Sequence, residues 1–245
     1  MPNFSTAEIE QDVDQIIWSM KLCSVIRYRG QRFWEEESQL TETALAVDTI
    51  RSTGETIPRS ESVADHSWHM ADMALLLAPR FPELDLGKCL ALATLHDKME
   101  IIMGDHSPLG KDGTGHDTHA FNAEKRQEKD AEEKRAIDHY ITQLHPQTAA
   151  IQQELLLDML HLISPESRFV KALDRIQPLA YIIARKAGHM ENAHLIFTVN
   201  YLKTNRTYFP ALAGHFNNLM HRFFESMAEH RQVTLASLKE DFPFE

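Results

Sequence analysis

The stretch LHDKMEIIMGD at 95–105 places an adjacent His96–Asp97 pair inside an otherwise apolar run, ALATLHDKMEIIM. Burying an aspartate without a partner costs on the order of several kcal/mol, so a buried one must be matched. A divalent metal is one such match, and imidazole with carboxylate suits Mn, Fe, Co or Zn. Neighbouring helical residues point about 100° apart, so both reach one ion only if it lies over the gap between their faces. Glu100 stands four residues after His96 and three after Asp97. It projects toward the same ion, placed to hold or deprotonate a water there. An HD dipeptide alone is a weak signal, because most such pairs are simple hydrogen-bonded partners.

Two further polar intrusions strengthen it. His66 lies in ESVADHSWHMADMALLLA, on the apolar face of a predicted helix. A single histidine there is ordinarily a satisfied core residue. Asp174 lies in RFVKALDRIQPLAYII, again within an apolar helical pattern. Its ordinary alternative is a salt bridge to Lys171 or Arg175 on the same helix. Taken together, His, His–Asp and Asp supply four ligands and leave room in an octahedral shell for water and a substrate oxygen.

Other polar clusters have plainer readings. His116, Asp117 and His119 of GHDTH could bind a second ion or touch a phosphate, but loops collect such residues anyway. The run EKRQEKDAEEKR at 124–135 alternates charge at helical spacing and reads as a solvated helix face. FNNLMHRFFESM at 216–227 reads as core or oligomer face.

Helices must position these groups. Gly and Pro are sparse (9 and 10), strand-type alternation is rare and long amphipathic stretches dominate, which predicts an all-α protein. A first helix is expected from Thr6 to Tyr28, capped by Ser5 with Glu8, with an apolar stripe of Ile9, Val13, Ile16, Ile17, Met20 and Val25. A second helical stretch covers Arg32–Ile50, and 51–62 reads as a loop. Further helices are expected from Ser62 to Pro79, with Met70, Met73 and Leu77 on the His66 face, and from Asp85 to Gly104, closed by a left-handed glycine. After a Gly-rich loop at 105–119 come Asn122–Leu144, Thr148–Leu162, a helix capped by Ser164 and running to Ala187 through Pro178, and Pro210–Arg231.

Composition bounds the partners. With 245 residues and 43% apolar content, the chain can bury a real core. A net charge of −11 repels a nucleic acid polymer. The same field opposes a small phosphorylated substrate unless a metal or an arginine supplies local positive charge. Cys23 and Cys89, with no CxxC pattern, read as reduced thiols. MPNFSTAEIEQDVDQ has neither a basic nor an apolar signal region, and no apolar run approaches the ~20 residues of a membrane span. The expectation is a cytoplasmic protein with no membrane partner.

The order His66, His96–Asp97, Asp174 resembles the HD-domain metal phosphohydrolase superfamily. ESVADHS, LHDKMEIIMGD and FVKALDRI resemble the branch that contains the 5′-deoxynucleotidases, over roughly residues 45–185. The resemblance implies an HD-domain helical bundle with extra N- and C-terminal helices. It covers an HD core at 46–187, to which the helical pattern adds an N-terminal extension at 1–45 and C-terminal helices at 188–245, read together as a single domain. It implies His66, His96, Asp97 and Asp174 as ligands of one divalent ion (Mn, Co, Fe, Mg or Zn). Glu100 matches the glutamate that acts on the attacking water, and Asp105 a second essential acid near the leaving oxygen. Arg51, fifteen residues before His66, matches a phosphate-contacting arginine, with Arg59 as a rival for that role. A guanidinium grips phosphate oxygens bidentately, as a lysine cannot. Homodimers are common in the family.

The chain departs from the pattern in places. Ser52 and Glu55 stand where an aromatic residue is common, and His106–Ser107–Pro108 follows the GD pair. The function implied is hydrolysis of a small nucleotide, a (deoxy)nucleoside 5′-monophosphate, to nucleoside and phosphate. Rival readings are a nucleotide phosphodiesterase, a triphosphohydrolase, a di-iron oxygenase or a non-catalytic nucleotide sensor. A second metal would call on His69, His106, His116 or His119. A pure sensor would not need Glu100, Asp105 and Arg51.

Overall fold

Ser5 opens the first helix as expected. Its hydroxyl accepts from the Glu8 N–H at 3.3 Å, and the Glu8 carboxylate accepts from the Ser5 N–H at 2.6 Å. In the computed structural model, which describes residues 5–27, 61–110, 113–186, 188, 190–203 and 207–243, this helix, α1, spans only Thr6–Ser19. A 3-10 turn at Met20–Ser24 follows, so the helix does not run on to Tyr28. The cause lies elsewhere in the chain. The Val63 N–H donates to the Val25 carbonyl and the Arg27 N–H to the Glu61 carbonyl, both at 2.9 Å. Extended backbone at 25–27 makes those bonds and a helix could not. The apolar stripe of α1 stays outside, with Ile9, Val13, Ile16, Ile17 and Met20 between 45% and 63% exposed. Instead α1 is held by Trp18, stacked on Tyr140 with ring centroids 5.1 Å apart, and by Gln11, which donates to the Gln143 carbonyl. The helical stretch expected at 32–50 and most of the expected loop after it lie outside the described residues.

The remaining helices are α2 (Val63–Leu77), α3 (Leu86–Leu95), α4 (Glu100–Met103), α5 (Ala123–Ile141) and α6 (Pro146–His161). Then come α7 (Pro165–Lys186), α8 (Asn192–Lys203), α9 (Ala213–Arg231) and α10 (Leu235–Asp241). No strand occurs among the described residues beyond one isolated bridge, Ile26 with Ser62, and the fold is all-α. No described helix is long and apolar enough to cross a membrane.

The described residues form two compact units. The first holds 5–27, 61–106 and 124–171. In it α2 packs on α3, burying Met70, Ala74 and Leu77 with Cys89, Leu92 and Ala93, while Met73 is half-buried. A second cluster joins Met99 to Ala136, Ile137, Tyr140, Leu144 and Leu156, with Leu95 and Met103 packed against it. The turn into α7 is fixed by Asp158, which accepts from the Ser164 N–H at 2.9 Å and its hydroxyl at 2.6 Å. Ser164 in turn accepts from the Ser167 N–H, which caps the helix. Both cysteines are free thiols, and burial pushes that of Cys89 up to about 12.

The second unit holds 107–123 and 172–243. Its core includes Phe216, Met220, Phe223, Phe224 and Met227 of α9, so the aromatic segment at 216–227 is largely core. Phe121, Phe197 and Tyr201 form an aromatic group, and the Arg175 guanidinium lies 4.3 Å from the Tyr201 ring centre. Gly188 faces the Ser226 carbonyl so closely that a Cβ would collide with it.

Candidate metal centre

His66 sits in the first turn of α2. Ser62 caps this helix, accepting from the Asp65 N–H while the Asp65 carboxylate accepts from the Ser62 N–H at 2.9 Å. This box fixes where the helix begins, and so points His66 into the interior, where it is fully buried. His96 stands at the C-terminal end of α3, where its ring is tilted 58° to that of His66 and the two Nε2 atoms lie 3.1 Å apart. The other ring nitrogen of His96, Nδ1, lies 2.9 Å from the Ala93 carbonyl. A carbonyl only accepts, so Nδ1 carries the proton and the Nε2 lone pair of the neutral ring is turned inward. Asp97 Oδ2 is 3.1 Å from His96 Nε2 and 3.5 Å from His66 Nε2. Asp174 follows Lys171 by one turn on the unbroken helix α7. One ligand atom from each of His66, His96, Asp97 and Asp174 lies within 4.8 Å of all the others.

The donor set suits a divalent ion. Ligands at about 2.1 Å from a metal lie roughly 3 Å apart when adjacent in an octahedral shell, which the His–His and His–Asp spacings match. Among the described residues this is the one group of three or more His, Cys, Asp and Glu side chains so arranged. Pro178 carries no N–H, so the Asp174 carbonyl four residues earlier receives no bond from it.

The segment after Asp97 differs from the continuous helix expected across 85–104. α3 ends at Leu95, and the N–H groups of Lys98, Glu100, Ile101 and Ile102 bond three residues back, to Leu95, Asp97, Lys98 and Met99. This is 3-10 winding, in which residues three apart eclipse. Glu100 is therefore stacked directly over Asp97. Burial raises the Glu100 carboxyl well above the usual carboxylate range, and Asp97 and Asp105 raise it further, while Lys129 and Arg27 oppose them. Gly104 has φ 77° and ψ 165°, so it is not the left-handed cap expected but a backbone state reserved for glycine. Asp105 follows this turn and is near enough to Glu100 to act on its carboxyl.

Arg51 and its rival Arg59 lie outside the described residues. His69 is exposed on α2 beside Trp68, and His106 lies 4.0 Å from Glu132. His116 and Asp117 are exposed in their loop, and His119 is half-buried. Arg27 was not singled out by sequence. Its guanidinium pairs with the buried Glu61 at 2.8 Å, immediately before the cap of α2. No local pattern signals a pair made across 34 residues.

A family model described as HD domain matches residues 48–212. The chain is 35% identical to the 5′-deoxynucleotidase HDDC2 of Xenopus laevis over 142 residues, 56% of this chain and 63% of that protein. It is 31% identical to the 5′-deoxynucleotidase hdd1 of Schizosaccharomyces pombe over 51% of this chain and 58% of that protein. The match thus spans somewhat over half the length of these relatives. Among solved structures, a protein from Magnetospirillum magnetotacticum described as a predicted metal-dependent phosphohydrolase superposes with a TM-score of 0.61 at 22% identity, covering 89% of this chain and 96% of that one. A conserved hypothetical protein from Pyrococcus furiosus superposes with a TM-score of 0.53 at 20% identity, over 85% of this chain and 98% of that one. At these identities the likeness is one of fold.

Proposed function

Because the chain belongs to the HD domain family, we propose that it is a metal-dependent phosphomonoesterase acting on (deoxy)nucleoside 5′-monophosphates, with His66, His96, Asp97 and Asp174 as the ligands of one divalent ion. The observation that carries this reading is the convergence of those four side chains within 4.8 Å. The naming of the relatives as 5′-deoxynucleotidases supports the substrate class.

The bound ion supplies Lewis acidity toward a phosphoryl oxygen. The protein's own groups do the rest. Glu100, with its raised carboxyl, is suited to take the proton of the attacking water. Asp105, on the far side of the Gly104 turn, serves the departing nucleoside oxygen. Arg51 grips the remaining phosphate oxygens. Such a site takes a small nucleotide rather than a polymer, and free Cys23 and Cys89 suit a cytoplasmic setting.

The test is phosphate release from ribo- and deoxyribonucleoside mono-, di- and triphosphates by protein stripped of metal and reloaded with Mn, Co, Fe, Mg or Zn. Metal-dependent release from monophosphates that disappears in Asp97→Ala is the expected result. Release from triphosphates alone, or from none while the metal stays bound, would overturn the reading.

A further inference from the structure

The charged helix α5 is not solvated all round. From Ala123 to Asp130 every residue is exposed except Lys129, which is half-buried. Glu132 and Glu133 are also half-buried, and Ala136, Ile137 and Tyr140 are buried. In steps of three and four these form one stripe, so Lys129 and Glu133 extend the face that Ile137 buries.

That face meets the segment carrying the proposed catalytic acids. Met99 and Met103 pack on the Ala136–Tyr140 end of the stripe, and His106 lies 4.0 Å from Glu132 one turn nearer the N-terminus of α5. The chain from Asp97 to His106 therefore runs along α5 toward Lys129. On α7, Lys171 precedes Asp174 by three residues and shares its face.

We propose that Lys129 and Lys171 form the anion-holding side of the metal centre, donating to non-bridging phosphate oxygens, with Glu133 between them keeping both ammonium groups in place. This rests on the phosphomonoester reading above. The electrostatics agree with the placement. Burial raises the Glu133 carboxyl, Lys129 and Lys171 lower it, and Asp97 raises it again, so each of these three charges acts on Glu133. Lys129 also acts on Glu100. The need for such cations follows from charge. Asp97 and Asp174 belong to the candidate centre, Asp97 and Asp105 act on the buried Glu100, and Asp97 acts on Glu133, in a chain of net charge −11. One divalent ion offsets only part of that before a phosphate dianion arrives. An ammonium is a compact charge with rotatable donors, suited to oxygens whose position shifts during reaction.

The test uses the full chain loaded with Mn and inorganic phosphate as the probe, titrated calorimetrically. Lys129→Gln and Lys171→Gln should each weaken phosphate binding about tenfold or more, the loss expected for a charged hydrogen bond. Lys129→Arg should retain binding, as should Lys125→Gln, which removes an exposed lysine paired with Glu128 on the same helix. Mn affinity should be unchanged or tighter in the two glutamine variants, because a repelling charge is removed; a merely structural role would weaken it. Phosphate affinity within about twofold of wild type in both variants, or no phosphate binding by the Mn-loaded wild type, overturns the proposal. If the variants lose phosphate binding but the wild type hydrolyses no nucleotide, the anion site stands and the substrate reading fails.

Discussion

His66 and His96 point their Nε2 atoms at each other across 3.1 Å inside the protein, and Asp97 reaches both. With the His96 Nδ1 proton committed to Ala93, the His96 Nε2 lone pair needs a partner. His66 can serve it by carrying a proton on its own Nε2, or one cation can serve both rings and the carboxylate together. The second arrangement satisfies every group at once, which is why a cation suits this place.

Replacing Asp97 with Asn keeps the size of the side chain and removes its charge. Divalent-metal affinity should fall by more than the roughly 10–100-fold typical of an outer-shell partner. Metal content after dialysis, read by mass spectrometry, checks this. Wild-type loading in the variant would remove Asp97 from the ligand set.

Glu100→Gln separates metal binding from turnover. Metal affinity should stay near wild type, while kcat falls about 10²–10⁴-fold, the usual worth of general base catalysis. A kcat close to wild type would mean that another group handles the water.

Gly104→Ala tests the backbone turn. A Cβ there meets no neighbour within 4 Å, so space is not at issue. With φ 77° and ψ 165°, any other residue is strained by about 1–3 kcal/mol. We expect a lower denaturation midpoint and a fall in kcat as Asp105 loses its aim. Unchanged stability would show that the turn relaxes freely.

The Lys88–Asp158 pair, 2.8 Å apart, predicts a pH dependence of stability. Burial works against the Asp158 charge, but Lys88, Ser164 and Ser167 outweigh it and hold the carboxyl well below its usual range. Asp158, mainly, and burial against it, set Lys88 above its usual value. Stability from Asp158 is thus present above the ordinary carboxylate range and lost as pH falls through its depressed folded value. Stability from Lys88 is present below the ordinary lysine range and lost as pH rises through its raised one. Asp158→Asn should cost about 2 kcal/mol near neutral pH, a value kept modest because the Lys88 side chain is 32% exposed. Urea denaturation from pH 3 to 8 should show the difference from wild type shrinking at the acid end. A difference that stays constant with pH would show that the pair is not the cause.

Much of the site could be read from residue types alone. His66, His96–Asp97 and Asp174 stand out because polar groups in apolar helical stretches need partners, and helical periodicity shows which face each shares. The capping of α1 and α2 was legible for a similar reason, since a cap is a bond between residues three apart. What local pattern could not reveal was anything decided by a distant segment. α1 stops at Ser19 because residues 25–27 pair with 61–63. Lys129 reads as one charge among many until α5 is seen packed on Met99 and Met103. Residue types and periodicity determined the helical class and singled out His66, His96–Asp97 and Asp174 as candidate ligands, because both rest on where polar residues interrupt apolar helical spacing. Only the tertiary structure decided the 3-10 winding that stacks Glu100 on Asp97, and which charged face of α5 turns inward. Those are set by packing between segments far apart in the chain, where neighbouring residues carry no record of the partner.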